Sequence, residues 1–288
     1  MVLAAGLGTR LAPLTDELPK ALCPIGDRPQ IDHVLGHLAR AGVPRAVVNV
    51  HHKAEAFDEA WRTAQSLPVE LSREEEILGT GGGIARAAAL LGEGTVLLWN
   101  ADILADVDLA ALLRAHEASG RIATLAVRDD PRGRVGIDGE RVVRLRDSRV
   151  APETHTVEYL GVAVLGASVR ERLPQRGCLI ADALIPAIGR GLEVGAFLHH
   201  GRFADTGSPE EYLAANLDWL AGRDAHLGDG ATVEPGVVVK RSIVGRDAHV
   251  AGTGTLEACV VWPGARALVP LERAIVTPRG VVSVTPRG

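Results

Sequence analysis

Cysteine is scarce in this chain: three in 288 residues, at positions 23, 178 and 259. They are far apart, odd in number and not in CxxC spacing. That excludes a disulfide framework and a structural zinc site, and reads as reduced, buried thiols in a cytoplasmic protein. Cys23 reads as a small core residue. No apolar run reaches the length needed to cross a bilayer. No basic region followed by a long apolar stretch opens the sequence, so no signal peptide is expected. Acidic residues outnumber basic ones, 36 to 31, for a formal net charge of -5. A broad basic footprint for nucleic acid or anionic membrane is thereby excluded, and any positive potential must be local. Two phosphate-binding motifs are also missing. GxxxxGK[ST] does not occur, and in the GxGxxG pattern Gly6 and Gly8 are followed by Leu11 where the third glycine belongs.

What is present begins at the first residue. Met1 to Ala4 form a short apolar run suited to a buried strand, and Gly6 and Gly8 follow as a turn that a side chain would obstruct. Arg10 and Lys20 come next, with prolines at 13, 19 and 24 holding the segment open. Free backbone N–H groups beside fixed positive charge make an anion cradle.

With 47% hydrophobic and 23% charged residues the composition is that of an ordinary globular protein, long enough for one full core and a smaller second module. Apolar runs alternate with helical patterns through the first two-thirds. Ile31, Val34, Leu35 and Leu38 recur at helical spacing before VVNV (47–50). TVLLWNAD (95–102) reads as a buried strand, LAALLRAHEASG (109–120) as a helix, and RIATLAVR (121–128) as another strand. This rhythm predicts an α/β layer with a mostly parallel sheet, ligands binding beyond the carboxyl ends of its strands. Segment 129–205 is less regular and is expected to hold antiparallel strands such as EYLGVAVLG. SPEEYLAANLDWLAG (208–222) is a closing helix with Ser208 as N-cap, Pro209 in the first turn and Gly222 as its stop. Helical patterns then vanish. Val238, Val244, Val250, Leu256, Trp262 and Leu268 recur every six residues, a hexapeptide period that predicts about two coils of parallel β-helix. The expected domains are therefore 1–222 and 223–288.

The stretch LAAGLGTRLxPxT followed by PK resembles the N-terminal signature of the sugar-1-phosphate nucleotidyltransferases, also called nucleotide-sugar pyrophosphorylases. The resemblance continues through LGTGGG (78–83), WNADI (99–103), VGI (135–137), YLGVAVL (159–165) and FADTGSPEEYLAAN (203–216). The trailing repeat is similar to the C-terminal module of mannose-1-phosphate guanylyltransferase-like members. LGTGGGI and HTVEYLGV are similar to the single-domain N-acetylmuramate-1-phosphate uridylyltransferases. The resemblance implies a Rossmann-like (GT-A type) domain with a mixed, mostly parallel sheet, followed by a short left-handed β-helix.

It also implies a reaction. A sugar-1-phosphate oxygen attacks the α-phosphorus of a nucleoside triphosphate and expels pyrophosphate. Two polyanions must be brought together, so catalysis rests on positioning and cations rather than on a strong base. Leu3, Ala4, Ala5, Gly6, Leu7, Gly8, Thr9 and Arg10 would hold the nucleotide, with Gly79, Thr80 and Gly81 against base and ribose. Arg10, Lys20 and Asp102 are the expected catalytic residues. Asp102 and Asp205 would hold Mg²⁺, which takes few protein oxygens and completes its shell with phosphate and water. Lys20, Gly136, Asp147, Arg149, Tyr159 and Gly161 would face the sugar phosphate. A homo-oligomer in the cytoplasm is expected, because β-helix modules of this kind often mediate assembly.

Four departures matter. The first strand is shorter than the family commonly has. Ala12 stands where many members carry a second Arg. Where many have Glu-Lys-Pro, this chain reads RLRDSR (144–149), with Asp147 at the Glu, Ser148 at the Lys, and Arg146 or Arg149 to supply the missing charge. Tyr159 replaces a sugar-contacting Asn. The nucleotide half is intact and the sugar is left open. Two alternatives stand beside the enzyme: a non-catalytic regulatory homologue that binds nucleotide sugar, and a cytidylyl- or uridylyltransferase acting on a non-sugar phosphate. His51, His52, His199 and His200 read as surface or strand-end residues. Glu74, Glu75 and Glu76 read as a solvated edge, and Trp99 as core.

Overall fold

The computed structural model describes residues 1–285. These form two compact units, one of Met1–Gly6 and Val34–Phe203, the other of Leu7–His33 and the described residues from Ala204 on.

The first unit is built on one ten-stranded sheet. Its strands are β1 (Val2–Leu3), β2 (Ala46–Val50), β3 (Val69–Arg73), β4 (Val96–Asn100), β5 (Ala123–Asp129), β6 (Val135–Asp138), β7 (Arg141–Leu145), β8 (Ser148–Arg149), β9 (His155–Leu165) and β10 (Val194–Leu198). Their order is β8-β7-β10-β5-β9-β4-β1-β2-β3, with β6 paired to both β7 and β9. β1 lies between two parallel neighbours, Val2 opposite Val48 on one side and Trp99 on the other. β2 with β3, and β5 with β10, are also parallel. The runs AVVNV and ATLAVRD are buried almost throughout, as strands covered on both faces must be.

The sheet is mixed, as expected, but it is not mostly parallel. β9 runs against β4, β5 and β6, and β7 against β6, β8 and β10. For β6, β7 and β8 the cause is local: they are joined in turn by tight hairpins, and a strand reached by a hairpin must be antiparallel to its neighbour. The β7–β8 connection has only Arg146 and Asp147 between the paired Leu145 and Ser148, with Arg146 in the left-handed region at φ 55°. Among the helices, Leu109–Ser119 is capped by Asp108, which accepts from the Ala111 N–H at 2.9 Å, and stops at the left-handed Gly120. The core holds Leu98, Leu125, Val127, Ala163, Leu165, Leu184 and Val194.

LGTGGG, three glycines in a row, reads in sequence as a loop ahead of an alanine-rich helix at 84–91, but the helix already begins there: Gly79–Arg86 is helical, and a second short helix follows at Ala88–Leu91. Each glycine weakens a helix by about 1 kcal/mol relative to alanine. Packing explains why alanine is absent: a Cβ on Gly82 would sit 2.7 Å from the Gln175 carbonyl oxygen, and one on Gly79 2.5 Å from that of Gly177. The Gly177 carbonyl accepts from the N–H groups of Gly81 (2.8 Å) and Gly82 (3.3 Å), supplying a partner for first-turn donors that a helix leaves open.

In the second unit, helix Pro209–Trp219 begins as predicted, Ser208 Oγ accepting from the Glu211 N–H at 3.3 Å with Pro209 in the first turn. Its Tyr212 is fully buried, donates to the Pro24 carbonyl and accepts from Trp262 Nε1 at 3.0 Å. Burial of such an aromatic contributes about 1.5–3 kcal/mol. Beyond the helix, Ala225–Leu227, Ser242–Val244, Val260–Val261 and Ala274–Thr277 pair in parallel succession, and Gly280–Ser283 closes the sheet antiparallel. Thr232–Val233, Val237–Lys240 and Arg266–Glu272 all pair in parallel with His249–Glu257.

The register is informative. Ala225 lies opposite Ser242, Thr232 opposite His249, and Ile243 opposite Val260, each 17 residues on. Three hexapeptides would take about 18 residues, so the six-residue phase slips within each turn. A hexapeptide period puts its repeating aliphatic residue inward; Val244, Val250, Leu256 and Trp262 are buried accordingly, whereas Val238 and Leu268 are 50% and 72% exposed.

Candidate active site

The residues singled out by sequence divide between the two units, and each group has its own geometry. In the first unit, Leu3 and Ala4 end the central strand. The Ala4 N–H donates to Asn49 Oδ1 at 2.9 Å, and Asn49 Nδ2 donates to Glu74 Oε1 at 2.7 Å. The other Glu74 oxygen accepts from the Leu78 N–H at 3.0 Å. Glu74 is therefore a buried clamp between the strand end and the start of helix Gly79–Arg86, not a solvated edge; Glu75 and Glu76 are exposed. A Cβ on Gly83 would stand 2.7 Å from both Asn49 Nδ2 and Glu74 Oε1, so the third glycine of GGG belongs to this clamp. Gly79 and Thr80 are exposed, while Gly81 is buried with its N–H already on Gly177.

Asp102 follows β4 and is half-buried. Gly161 has φ 76°, and a Cβ there would meet Asn100 Nδ2 at 2.7 Å, where the β9–β5 register shifts. Trp99 is core, 1% exposed, its indole N–H on the Ile103 carbonyl at 2.9 Å. Gly136 is required by an ion pair: a side chain would run into the Glu153 carboxylate, which Arg144 holds at 2.6 Å and Arg149 at 3.1 Å. Arg144 beside it lowers the Glu153 pKa. Arg149 is thus engaged and Asp147 is an exposed turn residue. Arg146 is the arginine that reaches inward, donating from Nη2 to Cys178 Sγ at 3.3 Å. The hydroxyl of Tyr159 is buried, and burial followed by the proximity of Cys178 pushes its pKa up.

In the second unit, Gly8 has φ 66°, and a Cβ would lie 2.7 Å from Thr15 Cγ2 and 3.1 Å from Lys20 Cβ. Gly6 has no atom within 4 Å of such a position, so only the second glycine is demanded by the fold itself. Thr15 Oγ1 donates to the Gly8 carbonyl at 3.1 Å. Arg10 is exposed and lays its guanidinium over Gly207, where a Cβ would be 2.8 Å from Nη2. Lys20 Nζ stands 3.9 Å from Asp205 Oδ1, the two side chains 12% and 36% exposed. Beneath them is a residue the sequence did not flag. Gln30 is fully buried, its amide donating to the Lys20 carbonyl while its oxygen accepts from Thr206 Oγ1 at 2.6 Å. Cys23 is buried and its thiol is pushed up to about 12 by that burial.

Chemically, the second unit offers two cations, Arg10 and Lys20, beside a glycine turn and one carboxylate. That set suits a polyphosphate and a hard cation. Among the described residues no three His, Cys, Asp or Glu side chains gather as a metal cage, and none of the helices is long and apolar enough to cross a membrane.

Comparison with known proteins agrees with this chemistry. Residues 1–144 match the family model described as Nucleotidyl transferase. Mannose-1-phosphate guanylyltransferase of Mycobacterium tuberculosis is 32% identical over 92% of this chain and 80% of its own length. N-acetylmuramate alpha-1-phosphate uridylyltransferase of Caulobacter vibrioides is 37% identical over 75% of this chain and 94% of its own. HddC from Yersinia pseudotuberculosis, complexed with GMP-PN, shares the fold at a TM-score of 0.62 and 22% identity, over 76% of this chain and 97% of that one. With the family model over residues 1–144 and a relative 37% identical along most of its length, this chain belongs to the nucleotidyl transferase family.

Proposed function

We propose that the protein transfers a nucleotidyl group from a nucleoside triphosphate to a sugar-1-phosphate, releasing pyrophosphate and an NDP-sugar. The observation that carries the reading is the Lys20–Asp205 pair, seated on the buried Gln30–Thr206 hydrogen bond in a chain of this family. The acceptor phosphate is already an anion, so no general base is needed. Lys20 draws the acceptor phosphate to the α-phosphorus and offsets charge as the new P–O bond forms. Arg10 and the N–H groups of Gly6 to Thr9 hold the triphosphate and stabilise the departing pyrophosphate.

Asp102 and Asp205 are the residues that would hold Mg²⁺. Both are carboxylates, the hard oxygen donors that Mg²⁺ takes one or two at a time together with phosphate oxygens. When bound, the ion supplies charge neutralisation on the polyphosphate. Thr80 and the backbone at Gly79 serve the base and ribose; Tyr159, Gly161 and the β6–β8 hairpins serve the sugar.

Two substrate pairs lead. GTP with mannose-1-phosphate is favoured by the relative whose similarity covers 92% of this chain, and UTP with N-acetylmuramate-1-phosphate by the one that is 37% identical over 75% of it. The parallel strands at 17-residue spacing support a short β-helix in the expected module 223–288, of which 286–288 lie outside the described residues, after a catalytic domain at 1–222; a left hand and a role in assembling a cytoplasmic homo-oligomer are what the family resemblance implies for it. The test is product identification: the protein is incubated with each pair and Mg²⁺, and the products are resolved by mass. An NDP-sugar formed by wild type and not by Asp102→Ala establishes the reading. Tight binding of an NDP-sugar without turnover of any pair favours the regulatory alternative.

A further inference from the structure

Cys178 differs from the other two cysteines. Cys23 and Cys259 are buried, whereas Cys178 is half-buried at the entry to the helical turn Leu179–Leu184. Its sulfur receives the Arg146 guanidinium at 3.3 Å. That arginine is held from behind: its backbone sits at φ 55° in the two-residue hairpin turn, with its N–H on the Arg134 carbonyl at 2.7 Å. The Thr80 hydroxyl accepts from the N–H of Leu179, the residue after Cys178, at 2.9 Å. Close by is the Tyr159 hydroxyl, buried and without a hydrogen-bond partner among the described residues. A buried hydroxyl with no partner is costly unless a ligand supplies one. Around the thiol, then, stand one donating cation, Arg146, and two hydroxyls, those of Thr80 and Tyr159, each from a different segment. Thr80 and Tyr159 are residues the proposed reaction assigns to its substrates.

We propose that Cys178 is a reactive thiol at the acceptor side of the site, one that exchanges with low-molecular-weight disulfides and, once modified, excludes the sugar-1-phosphate. The second half of this proposal rests on the nucleotidyl-transfer reading; the first does not. In the exchange the Cys178 sulfur attacks one sulfur of the disulfide. A new S–S bond forms to Cys178, the old S–S bond breaks, and the other half leaves as a thiolate while the Cys178 proton passes to solvent. Cys178 is oxidised and the reagent is reduced, with no further oxidant required. The environment supports the chemistry. Burial raises the Cys178 pKa, but the Ala181 and Ile180 amides, the Thr80 hydroxyl and the Arg146 charge outweigh it and bring it below the ordinary thiol value. Burial drives Cys23 and Cys259 the other way.

The experiment uses the full chain and dithio-bis-nitrobenzoate, following release of the coloured thiolate and locating the adduct by peptide mass. One fast equivalent at Cys178 is expected, absent in Cys178→Ser, slowed about tenfold in Arg146→Met and largely restored in Arg146→Lys. Equal labelling of the three cysteines, or a rate indifferent to Arg146, overturns the reactive-thiol claim. For the second half, mannose-1-phosphate or N-acetylmuramate-1-phosphate should slow labelling, and the adduct should raise the KM for the sugar phosphate more than that for the triphosphate. Selective labelling that neither sugar phosphate slows overturns the placement of Cys178 beside the acceptor. That result leaves nucleotidyl transfer to its own assay, where NDP-sugar formation is measured on unmodified protein.

Discussion

Lys20 Nζ lies 3.9 Å from Asp205 Oδ1, the ammonium mostly covered and the carboxylate partly open. The pair unites the function of the N-terminal glycine segment with that of the FADTGSPEEY stretch nearly two hundred residues later. Covering sets its strength, since the same pair in open solvent would be worth little. Lys20→Ala is expected to lower kcat/KM by about 10²–10³, the loss typical of removing one charge-stabilising donor. Lys20→Arg should recover only part, because a planar fork does not replace a point charge. Steady-state kinetics with the sugar phosphate varied is the check.

Gln30→Leu should damage both stability and rate. The substitution takes from the Lys20 carbonyl its amide donor and from Thr206 its acceptor. Losing buried hydrogen bonds of this kind costs about 1–3 kcal/mol. A fall in denaturation midpoint together with a lower kcat is expected; an unchanged kcat would separate Gln30 from the positioning of Lys20.

Gly83→Ala tests the clamp of the first unit. The added methyl meets Asn49 Nδ2 and Glu74 Oε1 together, so the Ala4–Asn49–Glu74 chain must shift. The expected signature is a raised KM for the nucleoside triphosphate with little change in the KM for the acceptor. Gly36→Ala is the control, where the added methyl meets only the flexible end of Arg40 at 3.3 Å.

Stability should fall on the acid side of neutrality. Burial lowers the pKa of His33, against a partial offset from the Ile25 carbonyl, and burial likewise lowers that of His116. Each therefore binds fewer protons in the fold than in the unfolded chain, so stability is lost as pH drops below about 6.5. Urea midpoints between neutrality and pH 5 should fall in wild type and fall less in His116→Gln.

How much of this was legible beforehand depended on whether the deciding contact was local. Helix Pro209–Trp219 was legible because Ser208 and Pro209 act within one turn of its start. The Gly8 turn and the run of apolar strands were legible for the same reason. Helix Gly79–Arg86 was not: three glycines signal a loop, and their packing against residues 174–177 is decided by a distant segment. Glu74 looked like its exposed neighbours until Asn49 arrived from the next strand; the lone polar residue in the buried run AVVNV was the available signal. Gln30 gave none, because a glutamine at the start of a helix is ordinarily solvated. The repeat at residues 238–268 is legible as a period, but Val238 and Leu268 at its two ends face solvent, since a 17-residue turn does not keep a six-residue step.

The central claim is nucleotidyl transfer to a sugar-1-phosphate, and initial-rate pyrophosphate release tests it most directly. Purified protein is assayed against GTP, UTP, dTTP, CTP and ATP, each with mannose-, glucose-, N-acetylglucosamine- and N-acetylmuramate-1-phosphate, with and without Mg²⁺. The account predicts release that needs both substrates, favours one pair, and is lost in Lys20→Ala and Asp102→Ala. Release without any sugar phosphate, or release that survives both substitutions, would contradict it.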